Sequence, residues 1–416
     1  MQRAPAAGKG PPRQRVSRVI LRKELPLVLT GFMAVLCGVG LSRFAYTALM
    51  PVMVQAGWFT PSQTAYLGAA NLLGYLIGAL SAHALTERLG VRRVLGGCLA
   101  TVALSFALSS TAQPFATFFL WRFAAGVAGA ILMVVGPSAG MAAAPPQRRA
   151  ALGPLMFTGV GAGALLSATV VPTLASQGLE VVWWALALLG ALAAWVGWRA
   201  CAHLHPPAGP GAQPPEPLGA LPLLRPSRAV VLVMLAYACD AAGFIPHTVF
   251  WVDYLAREQQ LGAAYAASQW AFLGLGAIAG PLLSSACASR WDWPRTLSGG
   301  YAIKAVGVGL PLLVFSFGGH AVSSFLVGAL SPGLAALTSG RLMQLVGPRH
   351  HKQYWGYATA VFALMQAVSG YAMAWLYGAA GQYRPLFVAG LVCMSLGLCL
   401  AWLSGRGTRS SATAPR

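Results

Sequence analysis

Apolar residues in this chain come in blocks of about twenty or more, divided by short segments that hold most of the charge. A helix rising about 1.5 Å per residue needs about twenty of them to cross roughly 30 Å of hydrocarbon, so each block predicts a transmembrane helix. Twelve are predicted, at 25–55, 62–86, 94–112, 115–143, 150–173, 180–201, 229–255, 263–288, 296–317, 321–346, 354–378 and 383–404. Between the sixth and seventh lies a segment with Pro206, Pro207, Pro210, Pro214, Pro215 and Pro217, too polar and too proline-rich to cross as helix. The expected fold is therefore an all-α polytopic membrane protein of twelve helices in two six-helix bundles. Its bundles are 25–201 and 229–405, its linker 202–228, and its tails 1–24 and 406–416.

The halves match in register. An offset of 202 places Gly74 on Gly276, Gly78 on Gly280, Arg88 on Arg290, Arg93 on Arg295 and Gly126 on Gly328, as an internal duplication would. Six plus six helices around a long central loop is the layout of secondary transporters whose two bundles rock about a central site.

Composition sharpens this picture. The chain is 57% hydrophobic and only 9% charged, against about 25% charged in a soluble domain. Its net charge of +20 would suggest nucleic acid in a soluble protein, but here the 28 Lys and Arg residues fall in alternate connections. They cluster in the tail from Arg3 to Lys23 and around Arg92, Arg148, Arg225, Arg290, Arg349 and Arg406, with only Arg257 and Arg384 on the other side. The positive-inside rule then puts both termini in the cytoplasm and removes nucleic acid as a partner. No cleavage pattern follows the basic tail, which is expected to be retained and disordered. Seven scattered cysteines show no metal-ligand spacing, and neither a metal nor a cofactor is expected.

Some motifs stand out against this background. Glu87-Arg88-Leu89-Gly90-Val91-Arg92-Arg93 joins helices two and three, with His83 four residues before Glu87. Arg122 is followed by Gly126 and Gly129 on one face of helix four, where glycines let a neighbour approach. Helix one carries Arg43 near mid-membrane, with Tyr46, Thr47 and Met50 on its face; helix two carries Asn71 and Tyr75 together. Helix seven holds Asp240, the only carboxylate near mid-membrane, and His247 seven residues on, two α-turns along the same face.

The loop from Glu87 resembles the acidic-basic-x-Gly-x-basic-basic signature of the major facilitator superfamily, with Glu87 for the usual Asp and His83 for the leading Gly. The Arg122 segment resembles its second signature. With 40–51, 66–78 and 243–251, the chain is similar to the YbfB/YjiJ branch over nearly all of its length between the tails. The resemblance implies a bacterial inner-membrane transporter working by alternating access, with helices one, four, seven and ten around the cavity. Substrate is not implied: an organic anion and a broad efflux substrate both remain.

The expected substrate-binding set is Arg43, Tyr46, Asn71, Tyr75 and Arg122. An unpaired charge at the bilayer centre costs about 2.5 to 3.5 kcal/mol even on the lenient insertion scale, so Arg43 needs a partner or a task. Two readings stand: a cation that holds an anionic substrate, or an intramembrane ion pair or gate contact. Arg122 either faces a polar cavity or snorkels to the outer interface. Asp240 and His247 have the geometry of a proton relay, or else Asp240 neutralises a cation such as Lys304 and His247 is a packed core residue. Glu87, Arg88, Gly90, Arg92 and Arg93 form a gating loop or simply anchor the cytoplasmic side. Asp253 and Arg257 read as an interfacial pair. Gly159, Gly161 and Gly163 lack the Gly-Pro pair of an antiporter signature, since Gly136-Pro137 lies in helix four.

The expected function is thus secondary transport of a small solute across a lipid bilayer, coupled to protons, by a monomer. Two rivals of other classes remain. A membrane-embedded enzyme acting on a lipid or isoprenoid carrier needs an acid, base or metal cluster, which the eight acidic residues do not form. A channel needs filter loops or rings of charge. Lipid turnover or unitary currents would separate them from a carrier.

Overall fold

The computed structural model describes residues 20–145, 147–204 and 225–406. Most of the tail 1–24, most of the linker 202–228 and nearly all of the tail 406–416 lie outside the described residues. Hydrocarbon offers no partner for peptide N–H and C=O groups, so each apolar block satisfies them internally as helix. The helices are α1 (Leu25–Gln55), α2 (Pro61–Leu89), α3 (Val91–Leu108), α4 (Phe115–Ala143), α5 (Arg149–Leu174) and α6 (Leu179–Cys201). After the linker follow α7 (Arg228–Glu258), α8 (Gly262–Arg290), α9 (Trp293–Gly309), α10 (Phe317–Gly347), α11 (Arg349–Ala380) and α12 (Arg384–Arg406). Eleven are long and apolar enough to cross a membrane; α9, of 17 residues, is the shortest.

Local chemistry sets the ends. Thr60 caps α2 through a capping box with Gln63 and is followed by Pro61, whose missing N–H is no loss in the first turn. The turn from α2 to α3 needs φ +80° at Gly90, a conformation that glycine adopts without strain. Two ends fall short of the expected ones. Helix α9 gives way to a 3-10 turn at Leu310–Leu312, where Pro311 cannot donate, and Ser316 then caps α10 by accepting from Gly319 N at 3.2 Å. The mostly apolar run from Leu310 to Phe315 thus lies between α9 and α10, outside both helices, with Leu313 81% exposed. Helix α3 stops at Leu108, whose carbonyl accepts from the Gln113 side-chain amide.

The 202-residue repeat is visible in the packing. A Cβ on Gly74 would stand 2.1 Å from the Phe123 carbonyl oxygen, and one on Gly276 would stand 2.2 Å from that of Phe325. Likewise Gly78 abuts Val127 O and Gly280 abuts Ala329 O; Gly126 abuts Asn71 O and Gly328 abuts Leu273 O. Each pair of partners is itself 202 apart, so the α2–α4 contact is repeated as α8–α10. Backbones this close gain dispersion over a long seam, which is what associates helices in lipid.

Both bundles carry a break in their first helix. Helix α1 contains a π-helical turn at Leu36–Leu41, with Ser42 N donating to Cys37 O at 3.1 Å, and resumes as α-helix at Phe44. Helix α7 loosens at Phe244 before Pro246 and passes into a π-turn at Pro246–Phe250.

The bundles meet in the half of the molecule away from the chain ends. Thr47 Oγ1 donates to Thr248 O at 2.6 Å, Trp270 Nε1 donates to Ser167 Oγ at 3.0 Å, and the Phe44 and Trp270 rings pack edge-on at 5.3 Å. On the terminal side, charged groups engage partners in their own bundle. Arg148 clasps Glu24 at 2.7 and 2.8 Å, Glu87 pairs with His83 at 3.0 Å, and Arg92 lies 4.9 Å over the Trp198 ring.

The seam predicts its own sensitivity. Gly280→Ala places a Cβ 1.9 Å from the Ala329 carbonyl and forces α8 and α10 apart, at a cost of about 1–3 kcal/mol; at Gly299 nothing lies within 4 Å of a new Cβ. Melting of purified protein in detergent should fall clearly for Gly280→Ala and barely move for Gly299→Ala. Equal melting of the two would contradict the seam.

Candidate functional site

Three polar side chains of the first bundle knit it together where α1 breaks. Arg122, only 2% exposed, donates from Nη1 to the Ser42 carbonyl at 2.7 Å and lies 4.1 Å over the Tyr46 ring. Asn71 Nδ2 donates to Arg122 O at 3.2 Å and to Ser42 Oγ at 3.5 Å, while Ser42 Oγ donates to Ala125 O at 3.2 Å. Tyr46 donates to Thr64 O at 2.8 Å. Arg122, Asn71 and Tyr46 are thus engaged in joining α1, α2 and α4. Arg122 does not snorkel outward.

Arg43 differs. It is the cap residue between Ser42 and the α-helix that resumes at Phe44; the Ser42 carbonyl takes Arg122 while the next side chain reaches across to the other bundle. Its Nη1 donates to Gln366 Oε1 of α11 at 3.3 Å, and its guanidinium stands 5.6 Å over the Phe244 ring of α7. Arg43 is 7% exposed, and Nε and Nη2 have no hydrogen-bond partner among the described residues. Tyr75, half-buried on α2, lies within electrostatic reach of it. A guanidinium with two free donors, desolvated between two bundles, has the chemistry to hold an anion with two acceptor oxygens.

In the second bundle, Lys304 of α9 donates to Asp240 Oδ1 at 2.5 Å, and both side chains are buried, with Asp240 Oδ2 left without a partner among the described residues. Lys304 Nζ also lies 4.7 Å over Phe244, so one ring is shared by the cation of α9 and that of α1. His247 lies elsewhere in the bundle than its spacing suggested. The break at Phe244 and the π-turn after it change the rotation between residues 240 and 247, so the two α-turns expected do not occur. His247 Nε2 is 2.8 Å from Ser323 Oγ of α10, and its ring stacks on Trp251 at 4.7 Å. Because Ser323 Oγ donates to Gly307 O at 2.6 Å, it can only accept from His247. This assigns the imidazole proton to Nε2 and leaves Nδ1 without a partner among the described residues.

Asp253 and Arg257 pair at the far end of α7, as expected, and the pair is largely buried in protein. Asp253 is fully buried, is clasped by both Arg257 nitrogens and accepts from the Tyr383 hydroxyl. Arg257 also donates to Tyr377 OH at 3.4 Å, so the network ties the far end of α7 to α11 and the start of α12. The loop residues Glu87, Arg88, Gly90, Arg92 and Arg93 are all exposed on the terminal side.

Several residues around Arg43 escaped sequence reasoning. Tyr237 of α7 stacks on Phe362 at 4.4 Å and on Trp355 at 5.7 Å, and Phe362 packs on Phe244 at 5.9 Å. Aromatic residues in an apolar helix give no signal of their own; Gln366, a lone amide in the apolar run 360–368, could have been noticed. Toward the terminal side the same two helices border a cavity of about 470 Å³ lined by Arg225, Val231, Met234, Leu235, Tyr354 and Tyr357, among others. Met234 and Tyr354 pack into the same cluster as Tyr237, Trp355 and Phe362, so the apolar wall runs on from the cavity to the shelf beside Arg43.

Residues 35–401 match the model of a family described as the uncharacterised MFS-type transporter YbfB. Among curated proteins, the uncharacterised MFS-type transporter YceJ of Bacillus subtilis (strain 168) is 25% identical, over 72% of this chain and 78% of its own length. The 3-(3-hydroxy-phenyl)propionate transporter of Escherichia coli (strain K12) is 28% identical, over 68% of this chain and 69% of its own. The fold, the repeat and these matches agree: the chain belongs to the YbfB-type family of the major facilitator superfamily and is a multi-pass membrane transporter.

Proposed function

We propose that the protein is a proton-coupled secondary transporter that moves a small organic anion across a bacterial inner membrane by alternating access, as a monomer with both termini in the cytoplasm. The observation that carries the anion is the buried Arg43 guanidinium with two free donors at the plane between the bundles. A relative named for a propionate, itself an anion, agrees with it. Alternating access is supported by the one-sided closure. The contacts between bundles made by Thr47 with Thr248 and by Trp270 with Ser167 lie in the half away from the termini, while in the other half Glu24, Glu87 and Arg92 engage partners of their own bundle. The closed half is then the outer one, by the distribution of Lys and Arg. Swinging the bundles the other way would bring the charged loop into play as a gate.

Coupling rests on Asp240, with His247 as the second titratable group of α7. Asp240 and Lys304 are paired in a water-poor interior, and Lys304 shares Phe244 with Arg43. A proton on Asp240 removes the charge that holds Lys304, so protonation and the anion on Arg43 act on one connected set of side chains.

Two outcomes follow. When purified protein is screened with organic anions by thermal shift, those that stabilise it should lose affinity by about tenfold or more in Arg43→Lys, which keeps the charge but not the planar fork. Unchanged binding and uptake in that variant would sink the anion site. In proteoliposomes, Asp240→Asn should abolish accumulation driven by a pH gradient while leaving exchange of labelled for unlabelled anion partly intact. Accumulation untouched by Asp240→Asn would remove Asp240 as the obligatory proton carrier.

A further inference from the structure

The surroundings of Arg43 restrict the body of its anion as well as the head. On one side stand the two free guanidinium donors and the Gln366 amide; on the other, a continuous aromatic surface made by Phe244, Phe362, Tyr237 and Trp355. These rings come from two helices only, α7 and α11, and Phe244 is the ring nearest the guanidinium. Phe362 and Trp355 are half-buried, not closed off, and the apolar wall extends from them into the terminal-side cavity of about 470 Å³. Among the described residues named around this space the polar groups beside the aromatic shelf gather near Arg43, and the next charge, Arg225, lines the far, terminal side of the cavity.

Resting on the reading of Arg43 as an anion site, we propose that the substrate is an aromatic monocarboxylate, with its carboxylate on Arg43 and its ring on the shelf of Tyr237, Phe244 and Phe362. One cation with two free donors matches one carboxylate; the second charge of a small dicarboxylate would stand against the rings of the shelf, far from Arg225, which precedes α7, and its desolvation there is uncompensated. A flat ring gains offset-stacked or edge-on contacts on such a shelf that an aliphatic chain of similar size does not make. Water-soluble acids without an apolar body leave the shelf uncovered. Alternation supports the same picture: Arg43 belongs to one bundle and the shelf to the other, so a molecule that bridges them is bound best while both are in contact with it.

The test measures calorimetric binding of phenylacetate, hexanoate and benzyl alcohol to the purified full chain in detergent. Phenylacetate should bind at least about fivefold more tightly than hexanoate, and benzyl alcohol, which lacks the carboxylate, should bind far more weakly than either. Phe362→Leu should shrink the phenylacetate-to-hexanoate ratio toward one while hexanoate binding persists, which itself reports a folded site. Arg43→Gln should weaken both acids together. Equal affinity of the wild-type protein for the two acids, or a ratio untouched by Phe362→Leu and Tyr237→Leu, overturns the aromatic assignment and leaves the anion site standing if Arg43→Gln still weakens both. Binding of neither acid, or of both regardless of Arg43→Gln, overturns the assignment and the anion site together.

Discussion

A guanidinium inside hydrocarbon has to be satisfied by the chain that carries it, and this structure is organised around two of them that are satisfied differently. Arg122 is paired within its own bundle by the Ser42 carbonyl and the Tyr46 ring. Arg43, adjacent to Ser42, reaches the opposite bundle and finds one acceptor for its several donors. The break in α1 produces both outcomes, because it turns a carbonyl toward α4 and the following side chain toward α11. The desolvation cost left at Arg43 is what the proposed anion would relieve, and in the proposed cycle that binding energy lies at the plane where the bundles separate.

The duplication supplies a symmetric frame, and the charges break the symmetry. Glycines repeat at an offset of 202 together with the carbonyls they touch, so the α2–α4 and α8–α10 seams are copies of one another. At the same offset, Asp240 and Lys304 replace Gly38 and Val102, and Arg43 faces Ile245 in the repeat. At the plane between the bundles the first therefore contributes the Arg43 cation, with no carboxylate beside it among its described contacts, and the second contributes an ion pair. Phe244 touches both, which makes it the contact through which the state of one charge centre reaches the other.

The frame was legible in the sequence because a bilayer imposes a length and forbids exposed backbone, so hydropathy alone counts helices. Glycine spacing carried the repeat as well. Helix ends were less legible where apolar residues leave the helix, as from Leu310 to Phe315, since hydropathy does not register the missing donor of Pro311. The Asp240–Lys304 contact was foreseeable from scarcity, there being few charges to pair. The relation of Asp240 to His247 was not, because a 3.6-residue period assumes an unbroken helix, and Pro246 brings a π-turn between them. Nor could spacing tell that Asn71 and Tyr46 are engaged within their bundle while Arg43 is not; that depends on which carbonyls the break in α1 presents. The aromatic shelf was hidden for a simpler reason, since Tyr237, Phe244 and Phe362 look like ordinary lipid-compatible residues until two helices bring them together.

Arg43 is the proposed seat of the substrate carboxylate, and a distance reads that contact. Solid-state NMR dipolar recoupling on protein labelled with nitrogen-15 in arginine, with phenylacetate labelled with carbon-13 at its carboxylate, reads that contact in the bilayer. The account predicts a carboxylate carbon within about 4 Å of guanidinium nitrogens, as a two-oxygen contact requires, and loss of that coupling in Arg43→Lys. Bound phenylacetate with no coupling to arginine, or with a coupling that persists in Arg43→Lys, would contradict it.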